Sequence, residues 1–338
     1  MNRENEIILD VQNLKKYFPI RGGLITRTVG HVKAVDGISF KLRRGETLGI
    51  VGESGSGKSV TSASVMRLMP SKTGKIVDGS IIFDGVDIRN LSEAQMEKFR
   101  GDECCMIFQN PMTSLDPVFK IGHQMVEMIR EHEKISKKDA WAKAVEALKL
   151  VGIPEAEKRM DAYPHELSGG MCQRVMIAMA MSCEPELLIA DEPTTALDVT
   201  IQAQILELME EIREKKNTGI LMITHDLGVV AEMCSRVVVM YAGRIVEEAP
   251  VKELFSAPKH PYTQGLIASV PKLGSGVESL PSIPGSVPDL SVMPKGCKFA
   301  PRCKYATDIC REKEPELMTV EGIHKCRCHH MNDLGKEA

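Results

Sequence analysis

A glycine-rich segment is the feature of the sequence that points most directly to chemistry. Residues 52–59 read Gly-Glu-Ser-Gly-Ser-Gly-Lys-Ser and fit the pattern G-x-x-x-x-G-K-[ST] of a phosphate-binding loop. The glycines let the backbone curl so that successive N–H groups face a polyphosphate. Lys58 is expected to reach the β and γ phosphates, and the Ser59 hydroxyl to ligate Mg²⁺. The segment predicts a nucleotide site, for which the plain alternative is a surface Gly-Ser turn.

An acidic pair follows an apolar run later in the chain. Residues 187–192 read Leu-Leu-Ile-Ala-Asp-Glu, which is typical of a buried strand with two carboxylates at its carboxyl end. Asp191 is expected to support Mg²⁺ through its water shell. Glu192 can orient or deprotonate the water that attacks the γ phosphate, as a general base must. Beside a phosphate-binding loop, the pair predicts hydrolysis of a nucleoside triphosphate rather than a solvent-facing strand end.

The elements around these motifs indicate an α/β fold. Residues 58–69 have the apolar spacing of a helix that Pro70 ends, and residues 92–152 indicate a polar helical insert. Asp84-Gly85 predicts a hairpin turn. Beyond about residue 250 the chain is rich in proline, which predicts a second, loop-rich module. Apolar or β-branched runs predict strands at 7–11, 32–35, 38–42, 47–51, 187–191, 219–224 and 236–240.

Composition excludes several other classes of protein. The 338 residues are 43% apolar and 26% charged, which is typical of a globular protein and excludes a disordered or collagen-like chain. A formal net charge of −3 gives no basic footprint for nucleic acid. The sequence has no run of about 18 apolar residues and no secretory signal at its start. We therefore expect a cytosolic chain that does not itself span a membrane.

Further short motifs resemble those of the ATP-binding cassette (ABC) ATPases. Leu-Ser-Gly-Gly-Met at 167–171 resembles the family signature, which generic GTPases and kinases lack. Gln109 resembles the Q-loop residue, Ala196-Leu197-Asp198 the D-loop, and His225 the switch histidine, and all stand in the order of the family. The resemblance implies a P-loop (RecA-like) ABC nucleotide-binding core, with an antiparallel β-subdomain and a helical insert.

The resemblance also implies roles for individual residues, with ATP sandwiched between two head-to-tail cassettes. Tyr17 is the expected adenine-stacking aromatic, for which the alternative is a core or edge-strand tyrosine. The implied nucleotide-binding residues are Tyr17, Ser54, Gly55, Ser56, Gly57, Lys58, Ser59, Val60, Ser168, Gly169, Gly170 and Asp198. The implied catalytic residues are Glu192, His225 and Gln109. The implied Mg²⁺ ligands are Ser59, Gln109 and Asp191.

Within that family, the chain resembles the ATPase subunits of dipeptide and oligopeptide permeases. The likeness runs over nearly all of the chain, including 49–68, 106–115, 189–206 and His260-Pro261-Tyr262-Thr263. It implies ATP-powered peptide import at the cytoplasmic side of the cell membrane, with nickel or glutathione as alternative cargo. The implied partners are a second ATPase subunit, two transmembrane permease subunits and an extracytoplasmic peptide-binding protein, without nucleic acid. A soluble ABC ATPase of repair or translation and an ATP-gated iron-sulfur redox protein are the alternatives of other classes.

The same resemblance divides the chain into two domains. The ABC nucleotide-binding domain is expected over 1–250, with its helical subdomain at about 92–165. A peptide-transporter-type extension is expected over 251–338, as a small, irregular and cysteine-rich module.

Five of the ten cysteines lie close together near the C-terminal end. The spacing C-x5-C-x6-C-x17-C resembles the tail that the peptide ATPases share. Four thiolates from a proline-rich loop could hold a [4Fe-4S] cluster, which would staple a segment with little core of its own. Zinc and free thiols remain alternatives, and Cys326 is the alternative to Cys328 as a ligand. The predicted iron-sulfur ligands are Cys297, Cys303, Cys310 and Cys328.

Overall fold

The structure is a computed structural model that describes residues 6–22, 27–69, 74–195, 197–270 and 282–333. The strands are Ile7–Gly22 (β1), Arg27–Arg43 (β2), Thr47–Val51 (β3), Lys75–Phe83 (β4), Val86–Asp87 (β5), Cys104–Ile107 (β6), Leu187–Asp191 (β7), Gly219–Ile223 (β8), Arg236–Tyr241 (β9), Arg244–Pro250 (β10), Met318–Glu321 (β11) and His324–Cys326 (β12). The helices are Lys58–Val65 (α1), Glu93–Asp102 (α2), Pro111–Ser114 (α3), Ile121–His132 (α4), Lys137–Leu150 (α5), Ala156–Arg159 (α6), Gly169–Ser182 (α7), Val199–Lys216 (α8), Leu227–Met233 (α9), Val251–Ser256 (α10), Pro261–Ala268 (α11) and Asp308–Glu312 (α12).

The chain divides into two compact units. The helical unit consists of Asn90–Met222 with two short upstream segments. The P-loop unit consists of Leu9–Leu42, Thr47–Arg89 and the chain from Ile223 onward. This division by contacts does not follow the linear division at residue 250, which stays a prediction about domains.

Two sheets organise the P-loop unit. The first has the strand order β2-β1-β4-β5, in which β1 and β4 are antiparallel. The turn between β4 and β5 is Asp84-Gly85, with φ of 44° and 81°, and Phe83 pairs with Val86. These angles belong to a type I′ turn, so the hairpin predicted from Asp-Gly is confirmed. The second has the order β11-β12-β10-β9-β3, with β3 parallel to β9.

Three expectations about elements in this unit need correction. The separate runs 32–35 and 38–42 form the single long strand β2, which passes Gly37 at φ of 80°. The strand expected at 7–11 extends to Gly22. The helix expected over 58–69 ends at Val65, because Arg67 takes a left-handed φ of 50°. The predicted stop at Pro70 lies outside the described residues.

The chain beyond residue 250, here called the C-terminal segment, adds regular structure to the P-loop unit. Its hairpin of β11 and β12 pairs with the edge of β10, with Glu247 opposite Cys326 and Glu248 opposite Lys325. Between residues 282 and 317 it has only a short 3-10 turn, Ala300–Arg302, and the helix α12. The segment is therefore less irregular than its proline content predicts, because an edge strand of the sheet orders its last part.

The helical unit contains one strand, β6, that the sequence pattern did not predict. β6 lies within the stretch 92–152, which was expected to be helical, and it pairs in parallel with β7, Ile107 opposite Ala190. Its Cys-Cys-Met-Ile run is too short to show strand alternation, and pairing with β7 overrides the helical surroundings. The strand order in this unit is β8-β7-β6.

The predicted helical insert is otherwise confirmed. Ser136 caps α5 by accepting a hydrogen bond from the Asp139 N–H, which satisfies one free donor of the first turn. Val145 and Leu148 are buried on its apolar face, and α5 packs against α4 and α7. Among the described residues, no helix combines the length and the apolar character that crossing a membrane requires.

Candidate functional site

The phosphate-binding loop connects β3 to α1 in the P-loop unit. The Lys58 ammonium is buried and donates hydrogen bonds to the carbonyls of Gly52 at 2.7 Å and Glu53 at 3.1 Å. The Ser56 N–H donates to the same Glu53 carbonyl at 3.1 Å. These bonds fold the loop back on itself, so that its lysine lies along the curled backbone.

Two glycines are required by the path of this loop. Gly52 has φ of 152°, and a Cβ there would lie 2.2 Å from the carbonyl oxygen of Met240. Gly57 has φ of 103°, and a Cβ would lie 2.4 Å from the carbonyl oxygen of Ala34. Both angles are ones that L-residues rarely adopt, and both contacts are with backbone that cannot yield. The loop therefore needs glycine at 52 and 57 for its backbone to curl, as the sequence motif predicts.

The loop is partly exposed. Ser54, Gly55 and Ser59 are exposed, whereas Ser56 and Gly57 are buried and Val60 is half-buried. A Cβ at Gly55 would meet no atom within 4 Å. The exposed residues lie next to the start of α1, the end of a helix that favours an anionic ligand.

Two of the predicted catalytic residues meet in the helical unit. Gln109 follows β6 and Glu192 follows β7, and parallel strands end at the same edge of a sheet. The Gln109 Nε2 donates to the Glu192 Oε2 at 2.9 Å, and the Thr195 hydroxyl donates to the same oxygen at 3.0 Å. Glu192 has φ of 50°, a left-handed conformation that a non-glycine residue keeps only where its surroundings hold it.

Asp191 is the last residue of β7 and is buried. It precedes Glu192 directly, so the two carboxylates leave the strand end in different environments, one buried and one beside Gln109. Thr195 was not identified from the sequence. The signal that could have found it is its position, because a hydroxyl three residues after Glu192 can hydrogen-bond to that carboxylate.

The signature residues begin the helix α7. Ser168 is its N-cap and accepts a hydrogen bond from the Met171 N–H at 3.3 Å. A Cβ at Gly169 would meet nothing within 4 Å, and one at Gly170 would touch only the Leu197 side chain at 3.6 Å. The first turn of α7 is therefore open at Gly169 and Gly170, and the start of a helix is a place that favours an anion.

Asp198 and His225 each lie just before a helix, Asp198 before α8 and His225 before α9. Asp198 caps α8 by accepting a hydrogen bond from the Ile201 N–H at 2.9 Å. His225 is exposed after β8, and the next residue, Asp226, caps α9. Ala196 of the predicted D-loop lies outside the described residues. The structure assigns Asp198 a capping role, and the catalytic role of His225 stays a prediction.

Tyr17 lies on β1 with its ring partly covered. Its hydroxyl donates a short hydrogen bond to Asp36, and the Lys33 ammonium lies 5.6 Å from the ring centroid. Burial and the hydrogen bond to Asp36 raise the pKa of Tyr17 above its ordinary value. β1 lies between β2 and β4, so Tyr17 is not on an edge strand. Stacking of this half-buried ring on adenine stays a prediction.

The four cysteines predicted as ligands line one small cavity in the C-terminal segment. The cavity measures about 20 Å³ and is also lined by His260, Phe299 and Tyr305. Its cysteines are Cys297, Cys303, Cys310 and Cys328.

Burial raises the pKa of three of these thiols, those of Cys297, Cys303 and Cys328. It raises the pKa of Cys297 to about 11 and that of Cys328 to about 12. Cys326 is fully buried on β12 and does not line the cavity. Across the described ranges, His, Cys, Asp and Glu side chains form no group of three that is spaced to hold a metal ion.

Three residues outside the predicted set contact or form the phosphate-binding loop. The Glu53 N–H donates to the Tyr262 hydroxyl at 2.8 Å, and the Arg302 guanidinium pairs with the Glu53 carboxylate. Tyr262 belongs to the His-Pro-Tyr-Thr stretch that carried the resemblance, but sequence spacing gave no sign of this contact. Its separation from Glu53 is 209 residues, so only the fold brings them together.

Two protein-family models match the chain. One, described as "ABC transporter", matches residues 35–195. The other, described as "Oligopeptide/dipeptide transporter, C-terminal region", matches residues 246–310. The first range contains the phosphate-binding loop and the signature, and the second contains Tyr262, Arg302 and three of the four cavity cysteines.

Curated relatives match nearly the whole chain. The oligopeptide transport ATP-binding protein OppD of Bacillus subtilis is 55% identical over 94% of this chain and 87% of its own. AppD, an oligopeptide transport ATP-binding protein of the same organism, is 52% identical over 98% of both chains. The dipeptide transport ATP-binding protein DppD of Haemophilus influenzae is 52% identical over 90% of this chain and 92% of its own.

Solved structures of ABC cassettes share the fold. A dimeric structure of the bacterial ABC transporter cassette MJ0796 has a TM-score of 0.64 and 25% identity over 72% of this chain and 98% of its own. A dimeric post-hydrolysis state of the same cassette, bound to ADP and Pi, has the same TM-score and coverage at 24% identity. The α/β core predicted from the sequence is that of these cassettes.

Proposed function

Because the chain belongs to the ATP-binding subunits of oligopeptide and dipeptide ABC transporters, we propose that it powers peptide import through such a transporter. It is an ATPase of the ABC class. The observation that carries the proposal is the match of the C-terminal family model, since this part of the chain distinguishes peptide-transporter cassettes from ABC cassettes in general. The three relatives are named for oligopeptides or dipeptides, which favours peptide over nickel or glutathione as cargo.

ATP would bind to the phosphate-binding loop through Ser54–Val60, with Lys58 beside the β and γ phosphates. The curled backbone and the glycine geometry of the loop fit a polyphosphate, as does the buried lysine. Ser59, Gln109 and Asp191 provide the hydroxyl, amide and carboxylate oxygens that suit Mg²⁺. When bound, this ion would neutralise charge on the phosphates. Tyr17 is our candidate for stacking on adenine.

Glu192 would accept the proton of the attacking water, with His225 as a second catalytic group. The hydrogen bonds from Gln109 and Thr195 to Oε2 fix the orientation of the Glu192 carboxylate, as a general base requires. Gln109 is hydrogen-bonded to this carboxylate. A change at Glu192 during hydrolysis would therefore be passed through Gln109 to the rest of the helical unit.

A second cassette would complete the site with its own signature. Ser168, Gly169 and Gly170 at the open start of α7 suit the γ phosphate of ATP that is held by the partner, and Asp198 stands next to that surface. The dimeric cassettes of the same fold support such pairing. Permease subunits in the membrane and an extracytoplasmic peptide-binding protein would be the remaining partners, with this chain attached at the cytoplasmic side.

An uptake measurement tests the proposed cargo and the ATP dependence together. In cells that depend on this chain and its transporter, Lys58→Ala is expected to reduce uptake of a labelled tripeptide by about 100-fold, because the phosphate-binding cation is lost. Lys252→Ala, an exposed lysine on α10, serves as the matched control. Unchanged tripeptide and dipeptide uptake in the Lys58 variant, with loss of nickel or glutathione uptake instead, would overturn the peptide assignment.

We also propose a [4Fe-4S] cluster on Cys297, Cys303, Cys310 and Cys328. The donor set fits, since four cysteine thiolates are the usual ligands of this cluster and all four line one cavity. The bound group would staple the C-terminal segment.

Anaerobic purification followed by metal analysis and an absorption spectrum tests this cluster. The wild-type chain is expected to contain about four irons and to absorb broadly near roughly 400 nm. Cys310→Ser is expected to lose most of the iron, whereas Cys183→Ser, a cysteine outside the cavity, keeps it. Cys326→Ser is expected to keep it as well. A colourless wild-type protein with one zinc, or full iron in Cys310→Ser, contradicts the cluster.

A further inference from the structure

A buried arginine of the C-terminal segment forms an ion pair with the phosphate-binding loop. Arg302 forms a two-pronged ion pair with Glu53, with Nη1 to Oε2 at 2.6 Å and Nη2 to Oε1 at 3.0 Å. The Arg302 side chain is only 4% exposed, and that of Glu53 is 30% exposed. Bidentate guanidinium–carboxylate pairs of this kind fix geometry as well as charge. Both residues belong to the P-loop unit.

The main chain of Glu53 is fixed by the same neighbourhood. Its N–H donates to the Tyr262 hydroxyl, and its carbonyl accepts hydrogen bonds from the Lys58 ammonium and the Ser56 N–H. Glu53 is thus fixed at three points, its amide, its carbonyl and its carboxylate. The contacts at the amide and the carboxylate come from residues beyond 250, and those at the carbonyl come from Lys58 and Ser56 within the loop.

The groups that hold Glu53 are themselves rigidly packed. The rings of Tyr241, Tyr262 and Phe299 pack together, with centroids 4.6 to 5.4 Å apart. The guanidinium of Arg302 lies 5.8 Å from the Tyr241 centroid, and its Nε donates to the Pro284 carbonyl at 2.8 Å. A planar guanidinium held by an aromatic face and a carbonyl has little freedom to leave its partner.

The charge of Glu53 gives this arrangement a functional meaning. A carboxylate in the second position of a phosphate-binding loop would repel a triphosphate unless a cation neutralises it. Lys58 donates to backbone carbonyls of the loop, and Arg302 pairs with the carboxylate. The loop can therefore keep its lysine for the phosphates while the C-terminal arginine compensates Glu53.

We propose that Arg302 is a positioning residue for ATP binding, which neutralises Glu53 and holds the phosphate-binding loop in its receptive form. With Tyr262, it makes the C-terminal segment part of the nucleotide site without contact with the nucleotide. The ATP affinity of this cassette then depends on a segment that ABC cassettes without the extension do not have. Arg302 also directly precedes Cys303, so the segment that carries the cysteines is the segment that holds the loop.

Calorimetric titration of the full-length chain with ADP and with a non-hydrolysable ATP analogue tests this role. Arg302→Gln is expected to weaken binding about tenfold in low salt, because it leaves Glu53 uncompensated beside the phosphates. The loss is expected to shrink to about threefold or less in 0.5 M salt, since screening weakens repulsion between partly exposed charges. The KM for ATP should rise by a similar factor, with kcat within about twofold.

Removing the Glu53 charge together with the Arg302 charge distinguishes a positioning role of Arg302 from a purely stabilising one. The double variant Glu53→Gln with Arg302→Gln is expected to recover most of the affinity, and Arg302→Lys to lie between wild type and Arg302→Gln. The Lys and double variants also serve where the single Gln variant does not fold. Arg327→Gln is the matched control, because Arg327 anchors the same segment to the carbonyls of Ile245 and Pro315 and is absent from the contacts of the loop.

Three results together support a positioning role for Arg302, and the loss of any one of them overturns it. A salt-sensitive loss of affinity in Arg302→Gln, its recovery in the double variant and an unchanged Kd in Arg327→Gln support the proposal. A Kd for the ATP analogue within twofold of wild type in Arg302→Gln overturns it, whatever the change in melting temperature. A loss that is equal in Arg327→Gln, insensitive to salt or not recovered in the double variant also overturns it, because each would indicate a structural role alone.

Discussion

The Glu192→Gln variant is expected to hydrolyse ATP at least 100-fold more slowly than the wild-type chain. An amide cannot accept the proton of the attacking water, and general-base catalysis contributes about 10²–10⁴-fold to a rate. The substitution keeps the local geometry, because a glutamine carbonyl can still accept the hydrogen bonds that Gln109 and Thr195 donate to Glu192. The loss would therefore fall on the chemical step and not on the position of the side chain.

Release of phosphate under saturating ATP measures this effect, and gel filtration with ATP measures its consequence. If hydrolysis reopens a closed pair of cassettes, the Glu192→Gln variant should form a stable dimer with ATP and remain monomeric with ADP. Glu186→Gln is the matched control: Glu186 stands directly before the same strand, β7, at its other end, where its carboxylate pairs with Arg44 at 2.8 Å. This control should hydrolyse ATP at the wild-type rate.

Retained hydrolysis within about tenfold of wild type in Glu192→Gln would remove Glu192 from the general-base role. A dimer that forms equally with ADP would show that pairing of the two cassettes does not depend on the γ phosphate. The two measurements thus test different parts of the assignment, since a general base acts on the reaction and the pairing depends on the bound nucleotide.

The local features of the site could be predicted from the sequence because each depends on a few adjacent residues. The phosphate-binding loop requires glycine at 52 and 57, and the structure shows the backbone contacts that exclude a Cβ there. The hairpin at Asp84-Gly85 likewise follows from two residues that tolerate positive φ. Such positions leave a strong mark on the sequence, because few residue types satisfy them.

Features that depend on distant parts of the chain left no such mark. β6 is a strand because β7 pairs with it, although the residues around it form helices. The contacts of Tyr262 and Arg302 with Glu53 join residues that are more than two hundred positions apart. No periodicity or spacing connects them, so the aromatic and the arginine could be noticed as part of a family pattern but not assigned a partner.

The cysteines show an intermediate case. Spacing and resemblance selected Cys297, Cys303, Cys310 and Cys328, and the structure places these four around one cavity while Cys326 faces elsewhere on β12. The choice of Cys328 over Cys326 could not come from spacing, because two residues separated by one position are equally placed along the chain. It came from the resemblance, and the structure adds a physical reason, since Cys326 is opposite Glu247 in the sheet and is fully buried there.

The second large effect is expected at the open start of α7, where Gly169→Asp should abolish ATP hydrolysis without loss of the fold. A Cβ at Gly169 meets nothing within 4 Å, so the new side chain has room. An acidic residue in the first turn of a helix stabilises it by about 0.3–1 kcal/mol, because it compensates the helix dipole. The melting temperature should therefore stay unchanged or rise slightly.

The same carboxylate would occupy the surface proposed to receive the γ phosphate of ATP that is held by a partner subunit. Juxtaposition of like charges there costs several kcal/mol, which predicts a loss of hydrolysis of about 100-fold or more and the loss of ATP-dependent pairing. Gly169→Ala, which adds a methyl group without charge, is the matched control and should keep most of the activity. Binding of ATP by the single chain should be unchanged in both variants, because the phosphate-binding loop at 52–59 is intact. Normal hydrolysis in Gly169→Asp would exclude the start of α7 from the site, and weakened ATP binding by the single chain would show that the signature acts within one subunit rather than across a pair.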